Sequence, residues 1–224
     1  MAKQGKILAA VIVILGAGLR ALKAYYLDPQ LTHDEATVVL ATEFNSLLNH
    51  LIRENYSYSH YTSPPFFYFI SSLWTPITQN IYVLRALPFI FSVLSLTTFW
   101  KILNKLETWK PSSFVMEKFL LLFYFSTSLF FIYIGTLYRT YSAGIFFVLL
   151  AINIFMDLYR SDLKGEGSPA IKIGTFSIFM FLAMFTTYSS FWAFLGLGAL
   201  IVYRYKDVSA SLKGFIGGFA LYVP

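Results

Sequence analysis

The chain has 224 residues, of which 57% are hydrophobic and only 12% charged, with 24 Phe and 16 Tyr. A soluble domain carries about 25% charged residues, so the composition excludes an ordinary soluble enzyme and points to an all-α polytopic membrane protein. Cysteine is absent, which excludes disulfides and thiolate metal sites; the net charge of +6 does not mark a nucleic-acid binder, because the basic residues sit in short loops between apolar runs.

A helix needs about 20 apolar residues to cross a bilayer. On that measure the first span is expected at 7–26, uncleaved, since no small-residue cleavage site precedes a polar mature domain. A long polar segment, 27–80, follows and holds Asp34, Glu35, Glu43, Arg53, Glu54 and the histidines His33, His50 and His60. Within it "SPPFFYFISSLW", 63–74, opens on two prolines, which suit the first turn of a helix, and a short aromatic interfacial helix is expected there. Further spans are expected at 81–103, 117–135 and 139–158. The apolar stretch 172–204 is read as two short spans, 172–187 and 190–204, turning at "TTYSS". A last apolar run starts at 213 and is cut off at Pro224, so residues 1–224 are expected to be one transmembrane module of about six to seven spans, the N-terminal part of something longer.

Charge supports this layout. With the N-terminus inside, the inner segments hold Lys3, Lys6, Lys101, Lys105, Lys110, Lys118, Arg160, Lys164, Lys172, Arg204, Lys206 and Lys213, that is 12 of the 17 basic residues. One long helix over 172–204 would instead separate Lys172 from Arg204 and Lys206. The positive-inside rule then places segment 27–80, with its acidic pair, on the extracytoplasmic side. No glycine-rich nucleotide loop is present, so a reaction that consumes a cytoplasmic nucleotide is not expected.

Several residues on that outer side can carry chemistry. Asp34 and Glu35 read either as the acidic first turn of a helix capped by Thr32 or Asp34, or as a general base or metal ligand at the membrane face; side chains of adjacent residues diverge on a helix, so in the second reading only one of the two is expected to face a substrate. Arg85 and Arg139 sit at outer ends of spans, where an arginine either snorkels to headgroups or binds an anion. "YRTYSAG", 138–144, adds Tyr138 and Tyr141 beside Arg139. The histidine spacing matches no helical metal motif.

These pieces, in this order, resemble a known family. The "DEA" after the first span, the "SPPFFYFISSLW" element, the "YVLRALPFIFSVLSLTTFWKIL" span, "FSTSLFFIYIGTLYRTYSAGIFFVLLAINIFM" and "LAMFTTYSSFWAFLGLGAL" together look like the membrane-embedded polyprenyl-phosphate-sugar glycosyltransferases of the GT-C class, of the protein O-mannosyltransferase and aminoarabinose-transferase type. The resemblance covers nearly the whole chain. It departs at Leu137, where the family often has an acid, and at Thr187-Tyr188, where a histidine often follows the threonine. It implies transfer of a sugar from a dolichyl or undecaprenyl phosphate to an extracytoplasmic lipid, protein or glycan acceptor, with inversion. Asp34 would be the general base and Glu35 its neighbour; Arg85, Arg139 and Tyr141 would hold the lipid phosphate, and His33, His60 and Tyr188 would be accessory. The resemblance names no cofactor that is required for certain and allows a divalent metal. The alternatives are a non-catalytic or degenerate membrane subunit, and a transporter or lipid-handling protein; the last predicts charges buried within spans, whereas the notable charges here fall at span ends.

Overall fold

A computed structural model describes residues 2–27, 30, 32, 35–36, 38–39, 65–75, 80–109, 114–164 and 169–204. Among the described residues the structure is helical and has no strand. The first helix, α1, runs Ala2–Leu22 and loosens into a π-helical turn at Lys23–Leu27. Then come α2 (Pro65–Trp74), a single turn α3 (Ile81–Leu84), α4 (Ala86–Trp109), α5 (Phe114–Thr127), α6 (Leu129–Thr136), α7 (Tyr141–Lys164), α8 (Pro169–Met184) and α9 (Ser190–Arg204). Helix α7 is central and packs on α4 and α8, while α1 lies against α5 and α4.

Among the described residues, three helical stretches are long and apolar enough to cross a membrane: Gln4–Leu27, Ile81–Trp109 and Tyr141–Arg160. A fourth is reached if the bent pair α5–α6 counts as one span. Ile14, Met116, Leu129 and Phe130 stand exposed around this bundle; apolar side chains on such a surface suit lipid rather than water. The chain is thus an integral membrane protein by helix length and composition.

The expected span 117–135 is not one straight helix. Its two halves meet at Ser128 with a bend of 49°. The local sequence "FSTS" explains the break: Thr127 turns its hydroxyl back to donate to the Phe123 carbonyl at 2.8 Å, a bond that competes with the helix ladder and bends it. Ser128 adopts an extended ψ of 126°. The long stretch 172–204 is also interrupted, since α8 ends at Met184 and α9 begins at Ser190. Each half is a shorter apolar helix.

Helix α4 is polar at both ends. Arg85 precedes it, and Lys105 near its other end pairs with Asp157 of α7 at 2.7 Å. Lys118 of α5 pairs with Glu107 at 2.5 Å. Twenty residues of α-helix rise about 30 Å, the thickness of a bilayer's hydrocarbon core, so Arg85 and Lys105 are separated by about one such thickness.

Candidate functional site

At the Arg85 end of the bundle, segments far apart in the chain meet. The start of the polar segment is a capping box. The Glu35 amide donates to the Thr32 hydroxyl at 3.3 Å, the Thr32 amide donates to Glu35 Oε2 at 2.9 Å, and the Ala36 amide donates to the Thr32 carbonyl at 2.9 Å. The T-x-x-E spacing of "THDE" favours this arrangement because two helix-start amides are satisfied reciprocally.

The same carboxylate is also the counter-ion of Arg85. Arg85 donates from Nε to Glu35 Oε1 at 3.0 Å and from Nη2 to Glu35 Oε2 at 2.7 Å. Both side chains are buried, 1% and 0% exposed. The guanidinium also donates to backbone, from Nη1 to the Ala24 carbonyl at 3.2 Å and from Nη2 to the Gln30 carbonyl at 2.9 Å. A fourth donor to Glu35 is the Tyr138 amide, 2.8 Å from Oε1. A fork-to-fork arginine–carboxylate pair of this kind is strong and directional. Burial pushes the Glu35 carboxyl up, but the hydrogen bonds from Arg85, Thr32 and Tyr138 and the Arg85 charge outweigh it and hold the group below the usual carboxylate range.

Around the pair lies an apolar cluster that includes Val38, Val39, Phe67, Leu84, Leu87, Tyr138 and Phe147. The α2 segment joins it. Phe67 meets the Tyr138 ring edge-on at 5.7 Å, and the Phe66 amide donates to the Phe185 carbonyl at 2.8 Å. Trp74 donates from its indole nitrogen to the Val83 carbonyl at 2.9 Å. The Thr187 side chain, in the turn before α9, fills the space beside Gly144 in the first turn of α7, so that a Cβ at position 144 would run into its methyl group.

The expected site residues distribute as follows. Glu35 and Arg85 are together, locked to each other. Arg139 follows Tyr138 in the chain, is half-buried, and lies over the Tyr141 ring at 5.6 Å, a cation–π contact. Tyr141 and Tyr188 are exposed, 36% and 53%. Asp34, His33, His50 and His60 lie outside the described residues, as do Glu43, Arg53 and Glu54. Among the described residues no group of three or more His, Asp or Glu side chains could hold a metal. Two features were not anticipated from the sequence. One is the use of the Tyr138 backbone amide as a Glu35 donor, which no side-chain pattern announces. The other is Arg20, which is buried by the bundle; a charge inside a largely apolar span, which it shares with Lys23, was its signal.

Comparisons with protein-family models, with curated proteins and with solved structures find no match to this chain.

Proposed function

We propose that the protein is a membrane glycosyltransferase that moves a sugar from a polyprenyl phosphate to an extracytoplasmic acceptor hydroxyl, with its N-terminus cytoplasmic and about six to seven spans in all. One observation supports this reading above the others. The five segments that carry the family resemblance are not scattered: "DEA", "SPPFFYFISSLW", the Arg85 turn, "YRTYSAG" and "LAMFTTYSS" meet at one end of the bundle through Glu35–Arg85, Glu35–Tyr138, Phe67–Tyr138 and Phe66–Phe185, with the Thr187 side chain beside Gly144.

In this reading Asp34 takes the proton of the acceptor hydroxyl. The oxygen then forms a bond to the anomeric carbon as the sugar–phosphate C–O bond breaks from the opposite face. The polyprenyl phosphate leaves with the electron pair, and configuration inverts. Arg139, backed by Tyr141, meets the charge that develops on the leaving phosphate. Glu35 and Arg85 neutralise each other and are saturated with hydrogen bonds, so we assign them a positioning role: they anchor the chain at Glu35, next to Asp34 in sequence, rather than taking the proton or the phosphate themselves.

The test is transfer from a radiolabelled polyprenyl-phosphate sugar by membranes carrying the protein. Asp34→Asn keeps the shape and removes the basicity, and a general base contributes roughly 10²–10⁴-fold in rate; turnover is expected to fall by that order while donor binding survives. Transfer at the wild-type rate by Asp34→Asn would remove Asp34 from the mechanism. The saturation of Glu35 and the Leu137 departure favour one other reading, a non-catalytic subunit of the same architecture. That reading predicts neither transfer nor donor hydrolysis by the wild-type protein.

A further inference from the structure

Arg20, in the last turn of α1, is 1% exposed, and among the described residues it meets no carboxylate. It donates from Nε to Ser92 Oγ at 2.7 Å, from Nη1 to the Gly16 and Ser126 carbonyls at 3.0 and 2.7 Å, and from Nη2 to the Phe125 carbonyl at 3.2 Å. The Phe125 and Ser126 carbonyls belong to the last turn of α5, where the break at Ser128 deprives them of helical partners. A guanidinium carries five N–H donors, and these bonds occupy four. The fifth is on Nη2.

Beside the guanidinium is a small cavity, lined on its polar side by Arg20, Ser92, Ser95 and Ser142 and on its apolar side by Phe125 and Phe131. It has room for about one water molecule. Ser142 is 1% exposed, and its Oγ has no hydrogen-bond partner. Ser95 donates its own hydroxyl proton to the Phe91 carbonyl at 2.8 Å, which leaves its lone pairs to accept. We propose that this cavity is the binding site of a single water molecule that accepts the fifth Arg20 proton and bonds to Ser142 and Ser95, joining α1, α4 and α7 around the broken helix. Three polar partners are what buried waters usually have. A small anion fits less well, because the carbonyls of Phe125 and Ser126 present the negative end of α5 to the guanidinium and the space is no larger than a water needs.

The sign of one stability change tests this. If Ser142 holds a water, Ser142→Ala strips the water of a partner and lowers the melting temperature of the detergent-solubilised protein, by roughly 2–10 °C. If the cavity is dry, the same substitution deletes an orphaned buried hydroxyl, and an unchanged or raised melting temperature overturns the proposal. Independently, a cryo-electron microscopy map of the wild-type protein, at a resolution that reveals other ordered waters, is expected to contain one peak between Arg20 and Ser142. An empty cavity there, or a peak that strengthens when bromide replaces chloride, equally sinks it.

Discussion

Glu35 and Arg85 stand fifty residues apart in sequence and share two hydrogen bonds in a buried site. Removing one member of such a pair leaves an uncompensated charge in a low-dielectric place, which destabilises by about 3–5 kcal/mol, whereas replacing both is far milder. Arg85→Met and Glu35→Ala are therefore each expected to lower the melting temperature sharply, and the double variant to recover much of the loss. Additive losses in the double-mutant cycle would show that the two groups act separately. The pair also sets a pH dependence. The Glu35 carboxyl is held below its ordinary value, so its contribution is fully present above the unfolded carboxylate pKa of about 4.3 and is lost as the pH falls through the lower folded value. Melting temperature measured from about pH 6 down to about pH 3 should fall more steeply for the wild type than for Glu35→Gln; parallel curves would refute this. Of this site, the capping residue Thr32 and the acid could be read from "THDE". The partner could not, because arginine at a span end pairs with lipid, ligand or protein with equal ease until the fold brings one of them near.

Among the elements, the α1–α5 contact depends on a missing side chain. A Cβ on Gly16 would lie 2.8 Å from Ser126 Cβ and 3.1 Å from the Ser126 carbonyl oxygen, while a Cβ on Gly18, two residues on, would meet nothing within 4 Å. Small residues let membrane helices approach closely. Gly16→Ala should force α1 and α5 apart and cost about 1–3 kcal/mol, seen as a lower melting temperature. Gly18→Ala is the control and should be neutral or mildly stabilising, alanine being the better helix former; equal effects of the two substitutions would contradict the packing described. The break between α5 and α6 shows why a hydropathy reading passes over such features. Residues 117–135 are apolar on average, yet the Thr127 hydroxyl, bonded back to the Phe123 carbonyl, and the Arg20 clamp on two carbonyls accompany a bend that mean hydropathy does not register.

For the molecule as a whole, the basic loops predict the N-terminus inside and segment 27–80 outside. The absence of cysteine makes the test direct, since single cysteines can be introduced without a background. Cysteine at Ser46 or Ser57 should react with an impermeant thiol reagent added from outside, and a tag within 206–211 should report the cytoplasmic side. Labelling of Ser46→Cys only after the membrane is broken would reverse the orientation, and with it the side on which Asp34 could meet an acceptor.

Hydropathy and composition alone determined that the chain is helical and membrane-embedded, because a bilayer imposes one requirement on every residue of a span: to be apolar and to satisfy its backbone internally. They also placed the polar segment and the charged residues along the chain. Which charges find each other was decided only by the packing of α1, α4, α5 and α7. That packing pairs Glu35 with Arg85 rather than leaving each to solvent, and gives Arg20 four neutral acceptors instead of a carboxylate. The physical reason is distance: a Coulomb or hydrogen-bond partner matters within a few ångströms, and separations in space between residues a hundred positions apart, such as Glu35 and Tyr138, exist only once the helices have packed.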